Sequence, residues 1–207
     1  MPRSRMAHQT SNKGFLVGYV EFCVVEAQTL RILGIDPGFG RTGYGVLETA
    51  GNRHQAMEYG CIETLPHTMT GERLRDIYLK VTDIIERFHP DVVAIEQLFF
   101  NRNVTTAFTA SEARGVVVLA AELANVAQAE YTPMQVKQAV VGYGRADKKQ
   151  VQEMVRILLN LREIPKPDDA ADALAIALAH AQSSTYLRRL QKAELNTSGA
   201  VQRKRDK

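Results

Sequence analysis

The sequence predicts one α/β domain, a five-stranded mixed sheet flanked by helices. Three observations lead there. Two short, apolar, β-rich runs, Leu30–Asp36 and Asp91–Glu96, each end on an acid, and the second has the continuous apolar character of a strand buried on both faces. Leu74, Ile77, Tyr78, Val81, Ile84, Ile85 and Phe88 recur at helical spacing, so Gly71–Phe88 reads as an amphipathic helix with one buried face. Beyond it, helical and extended stretches alternate.

Each element follows from local chemistry. Leu30–Asp36 is stopped by Pro37-Gly38, a turn pair. Tyr44–Glu48 and Gln55–Glu63, split by Gly51-Asn52, read as the second and third strands of a meander. The helix to Phe88 ends before Pro90, and the fourth strand follows it. A helix over Thr105–Ala124, a strand over Ala127–Thr132, helices over Pro133–Val141 and Lys148–Leu161, and a last helix over Asp168–Ser184 complete the order. The domain so defined covers residues 30–185. Residues 1–29 are expected to be a poorly ordered extension and 186–207 a basic tail.

Charge is distributed unevenly. The formal net charge is +3, yet Ser183–Lys207 holds seven basic residues against two acidic, and Met1–Leu30 three against two. The body from Arg31 to Gln182 is therefore acidic, at −3, which makes its carboxylates the informative residues rather than a general cationic face. No stretch approaches the roughly 20 apolar residues of a membrane span, and the longest apolar patch, Phe15–Val25, is broken by Glu21. Neither a membrane nor a secretory leader is expected. Two cysteines, Cys23 and Cys61, are too few and too far apart for a disulfide framework or a paired-cysteine metal site, so a reducing cytoplasm is the expected location.

Asp36 ends the first strand and Glu96 the fourth, and ligands of open α/β sheets sit at the carboxyl ends of parallel strands. An acid at a strand end also simply starts a turn, so either residue alone decides little. Asp169 and Asp172 form a second pair, three residues apart on one helix face. Capping explains acids at 168 and 169, at the start of a helix after Pro165 and Pro167, but not Asp172, which lies inside an alanine- and leucine-rich run. A charge there costs several kcal/mol unless paired or bound to a cation. Four meeting carboxylates cannot all ionise without compensation. With oxygen ligands only, Mg²⁺ or Mn²⁺ is favoured over Zn²⁺, and two ions roughly 3.5–4 Å apart suit phosphodiester hydrolysis.

Gly34-Ile35-Asp36-Pro37-Gly38, Thr42-Gly43-Tyr44-Gly45, Ala94-Ile95-Glu96-Gln97, Gln135-Val136-Lys137-Gln138 and Asp169-Ala170-Ala171-Asp172-Ala173-Leu174-Ala175, in this order and spacing, resemble the bacterial Holliday junction resolvases of the RuvC family. The resemblance runs from about Leu33 to His180. It implies a ribonuclease-H-like fold and a Mg²⁺-dependent endodeoxyribonuclease, with Mn²⁺ as a substitute. Such an enzyme nicks two strands of like polarity at a four-way DNA junction during recombination and repair. It also implies a homodimer, joined on the face near Thr105–Ala124, and the RuvA–RuvB branch-migration complex as partner. The family's four catalytic acids fall on Asp36, Glu96, Asp169 and Asp172, which are also its metal ligands. Lys137 and Lys148 match basic positions used for DNA binding and catalysis, with Lys149 a neighbouring candidate. A solvated helix face accounts for such lysines equally simply.

Leu98-Phe99-Phe100 precedes the loop-like Asn101-Arg102-Asn103, so an aromatic is expected to face outward and stack on, or wedge between, junction bases. Phe99 matches the family position with that role, whereas Phe100 serves as well in the core. The family begins only a few residues before its first aspartate, whereas Asp36 here has 35 residues before it. Other readings stay open. Gly34–Gly38 also resembles the first phosphate loop of actin-like ATPases and sugar kinases, but their second Asp-Gly-Gly-type loop is not in this sequence. A junction-binding module without catalysis is hard to reconcile with four acids, and a ribonuclease-H-like nuclease acting on RNA or hybrids is separated only by Phe99, the lysines and the matching segments.

Overall fold

The computed structural model describes residues 29–98 and 104–184, with the backbone alone at 104–106. Phe99, the basic tail and all of the N-terminal extension except Thr29 lie outside the described residues. The elements run β1 (Leu30–Asp36), β2 (Arg41–Ala50), β3 (Arg53–Glu63), α1 (Thr70–Phe88), β4 (Val92–Glu96), α2 (Val104–Leu123), β5 (Ala127–Tyr131), α3 (Pro133–Val141), α4 (Lys148–Leu158) and α5 (residues 168–184). The five strands form one mixed sheet in the order β3-β2-β1-β4-β5. β1, β2 and β3 form an antiparallel meander, and β4 and β5 run parallel to β1. No described helix is long and apolar enough to cross a membrane.

Most boundaries lie within two residues of the sequence reading, and two differ by three residues, each for a local reason. β2 starts at Arg41 rather than Tyr44, because backbone pairing with β3 continues through Gly43, Thr42 and Arg41, where glycine and threonine hide the apolar alternation. α4 stops at Leu158 rather than Leu161. Asn160 takes a left-handed conformation (φ 51), and the Leu161 and Asn160 N–H groups donate back to the carbonyls of Arg156 and Ile157, a Schellman closure. α3 is framed at both ends: Thr132 and Gln135 form a reciprocal capping box before Pro133, and Gly142 ends the helix at φ 92.

Side chains alternate across β1, so the sheet has two apolar layers. Leu33 and Ile35 pack with Val93 and Ile95 under α1 and α2, through Ile77, Val81 and Val117. Ile32 packs with Val92 and Ala94 on the opposite face, under Val136, Val151, Leu174 and Leu178 of α3, α4 and α5. α5 lies closest of all. A Cβ on Gly34 would stand 2.1 Å from the Ala173 carbonyl oxygen, and one on Gly45 would stand 2.8 Å from a Leu174 methyl. Gly34 and Gly45 face each other across β1 and β2. They leave a lane without side chains in which the alanine-rich helix rests on the backbone of the sheet.

Candidate active site

The parallel register pairs Ile35 with Ile95, so the residues that follow, Asp36 and Glu96, are neighbours at the carboxyl edge of β1 and β4. By alternation both lie on the α5 side of the sheet. α5 brings the other two acids. The Asp169 backbone rests on Gly43, where a Cβ would meet its carbonyl oxygen at 2.0 Å, and Gly43 is the partner of Asp36 in the β1–β2 register. Asp172 is one turn further along, next to the helix segment that crosses Gly34.

Asp36 feels the charges of the other three carboxylates. Burial pushes the Asp36 carboxyl up to about 7, and the charges of Glu96, Asp172 and Asp169 add to that. Glu96 is likewise pushed up to about 7, first by burial and then by Asp172, against the opposing pull of Lys137 and Lys148. Asp172 is raised by burial, with the hydrogen bond from Lys148 acting the other way. The Lys148 ammonium stands 2.9 Å from Asp172 Oδ2 and 3.4 Å from Asp168 Oδ2. Burial alone would lower the Lys148 pKa, but these two carboxylates outweigh it and the net shift is upward. Among the described residues no three histidine, cysteine or carboxylate side chains already close around a metal position. Lys148 is ion-paired within the cluster, and Lys137 also acts on Glu96.

Lys148 is held there by its own helix. It is the first residue of α4, and Asp147 caps that helix: its side chain accepts from the Gln150 N–H at 2.9 Å, and Gln150 Oε1 accepts from the Asp147 N–H at 2.9 Å. A cavity of about 240 Å³ opens between α3, α4 and α5, lined by Glu96, Lys137, Lys148 and Asp172 over the apolar Val136 and Val151. Of the basic residues singled out in the sequence, Lys137 and Lys148 line this cavity and Lys149 does not.

Several contributors escaped the sequence reading. Gly43 is one: quoted there only within a matching segment and placed before the second strand, it lies inside β2, where a strand glycine marks close backbone approach. Asp168, read there as a helix-start residue, also pairs with Lys148. Cys61 lies across the β2–β3 register from Gly43, its sulfur 4.0 Å from Asp169 Oδ2. Burial, then the Asp169 charge, pushes its thiol up to about 11, which disfavours the thiolate. The remaining donors are carboxylate oxygens, and burial disfavours the charged forms of Asp36, Glu96 and Asp172. That combination fits a hard divalent cation.

Comparison with known proteins identifies the family. The family model described as "Crossover junction endodeoxyribonuclease RuvC" matches residues 32–180. The protein of that name from Alkaliphilus metalliredigens is 56% identical over 155 residues, which is 75% of this chain and 94% of the relative. Its counterpart from Heliobacterium modesticaldum is 57% identical over 155 residues, covering 75% of this chain and 96% of the relative. Among solved structures, T. thermophilus RuvC in complex with Holliday junction substrate superposes with a TM-score of 0.73 at 39% identity, covering 76% of this chain and 96% of that one.

Proposed function

Because the chain belongs to the family of the crossover junction endodeoxyribonuclease RuvC, it is a ribonuclease-H-like, metal-dependent nuclease that resolves Holliday junctions, and we propose that it cuts at the cleft of Asp36, Glu96, Asp169 and Asp172. One observation carries this reading: Asp36 and Glu96, at the ends of adjacent parallel strands, are both pushed to about 7 beside a cavity lined by two lysines. Groups with such perturbed titration, gathered in a cleft, mark functional sites.

The four acids would hold two Mg²⁺ ions per site, with Mn²⁺ as a substitute. Bound there, the metal supplies a polarised water and counter-charge for the leaving oxygen. The protein's own groups do the rest. Lys137 and Lys148 present ammonium groups to the phosphate being cut, a charge-assisted contact that binds and orients it. Lys149, on the outer side, adds affinity for flanking phosphates, and Phe99 stacks on junction bases.

The working unit in this reading is a homodimer, whose two sites match the two-fold symmetry of a four-way junction and so produce paired nicks. α2 supports it, for Phe108, Leu119 and Leu123 expose a stripe of large apolar side chains. The RuvA–RuvB branch-migration complex is the partner that would deliver the junction, and the cytoplasm is where it works.

A synthetic four-way junction tests the site. Wild type with Mg²⁺ is expected to give paired, symmetric nicks, and Asp169→Asn to bind the junction without cutting. Equal cutting by both would remove Asp169 from the chemistry. Absence of cutting by wild type with either metal would overturn the reading.

A further inference from the structure

We propose that Arg73 is a preorganised contact for a DNA backbone phosphate beside the turn that follows Asp36, an inference that rests on junction DNA being the substrate. The turn Pro37–Gly40 joins β1 to β2 immediately after Asp36. It is held from below by Thr64, whose buried hydroxyl donates to the Phe39 carbonyl at 2.8 Å and whose N–H donates to the Gly40 carbonyl at 3.1 Å. Arg73, in the first turn of α1, completes the arrangement. Its Nε donates to Thr64 Oγ1 at 2.8 Å, its Nη2 donates to the Phe39 carbonyl at 3.3 Å, and its guanidinium carbon stands 4.0 Å from the centre of the Phe39 ring.

Two hydrogen bonds in the guanidinium plane and one ring against its face fix all its orientational freedom. An arginine loses side-chain entropy on being ordered, and here that loss precedes any ligand. Every partner is neutral, so the positive charge stays uncompensated. Among the described residues Arg73 makes no ion pair, whereas its neighbours Arg41 and Arg75 pair with Glu63 and Asp76. Nη2 lies 3.6 Å from where a Cβ on Gly40 would be, and Gly40 is exposed and bare. A backbone without side chains next to a rigid, unpaired cation is what a phosphate needs in order to approach closely.

The test is binding of a labelled four-way junction to the full chain in EDTA, so that nothing is cut, across a range of salt. Arg73→Gln is expected to weaken binding about tenfold at 0.1 M salt and to reduce the slope of log K against log salt by about one. Arg73→Lys keeps the slope and loses part of the affinity, because the charge stays and the fork is lost. Arg75→Gln, on the same helix, leaves both unchanged. A wild-type slope in Arg73→Gln overturns the inference and leaves a clamp only. Should that variant fail to fold, Thr64→Val removes the Nε acceptor with the arginine intact; an unchanged slope with affinity lowered about threefold is expected, and unchanged affinity overturns preorganisation. Failure of the wild type to bind the junction would count against the substrate reading instead.

Discussion

The backbone of Asp169 lies directly on Gly43: a Cβ at Gly43 would stand 2.0 Å from the Asp169 carbonyl oxygen and 3.1 Å from the Asp169 Cβ. Nothing there is the flexible end of a side chain, so an alanine can be accommodated only by lifting the start of α5 from the sheet. Gly43→Ala is expected to destabilise the protein by about 1–3 kcal/mol and to lower cleavage at least tenfold by moving Asp169 away from Asp36. Gly71→Ala, within α1 and with nothing inside 4 Å, is the matched control: it should leave cleavage unchanged and not lower stability. Thermal melts and junction cleavage by the two variants check this.

The titration of Asp36 sets a dependence of stability on pH. Its carboxyl sits at about 7 in the folded chain against roughly 4 when unfolded, so between those values the native state binds the extra proton. Without divalent metal, stability should therefore fall as pH rises from about 4 to about 7, and Asp36→Asn should remove that share of the loss. The variant and wild type melt together near pH 4, and the variant melts a few degrees higher at pH 8. Adding Mg²⁺ at pH 8 should stabilise wild type more than the variant. Melting temperatures that stay parallel across this range would show that Asp36 is not held protonated.

The same acids make metal affinity depend on pH. Protons leave Asp36 and Glu96 near 7, and a cation must displace those that remain. Mn²⁺ affinity of the DNA-free protein, followed by calorimetry, should strengthen by about tenfold or more between pH 6 and pH 8. Affinity that is flat over this interval would exclude the two raised acids from the ligand set.

Lys148 competes with such a cation for Asp172, at 2.9 Å in the present arrangement. Lys148→Met should leave Mn²⁺ binding to the DNA-free protein unweakened, yet lower cleavage at saturating Mg²⁺ by about a hundredfold, through loss of a fixed positive charge at the phosphate. Weakened metal binding would make the lysine part of the scaffold of the site.

Asp147 fixes where α4 begins, one residue before Lys148. Asp147→Ala removes half of the capping box and should cost about 1 kcal/mol. Asp147→Asn, which still accepts from the Gln150 N–H, should cost less; equal losses in urea melts would mean that the cap contributes through its charge alone.

Much of this was legible in the chain, for identifiable reasons. The strand ends at Asp36 and Glu96 follow from two apolar runs that each stop at an acid, and α1 from seven apolar residues at helical spacing. Asp172 stood out because a charge among buried alanines needs a partner, and the structure supplies one in Lys148. Boundaries were less legible where backbone pairing or closure does the work without an apolar pattern, as at Arg41–Gly43 and at the Asn160 stop of α4.

Local order, apolar period and residue chemistry, which depend on neighbours in the chain, are written in the sequence itself: five strands, their helices, four acids and the all-oxygen character they lend the cleft. Which groups share that cleft belongs to the tertiary structure alone. Asp36 and Asp169 are brought together because α5 descends into a lane left bare by Gly34, Gly43 and Gly45, Lys148 is drawn to Asp172 across two helices, and Arg73 is locked against Phe39 and Thr64. These contacts join different elements, and the packing of α5 on the sheet and of helices on one another sets their distances.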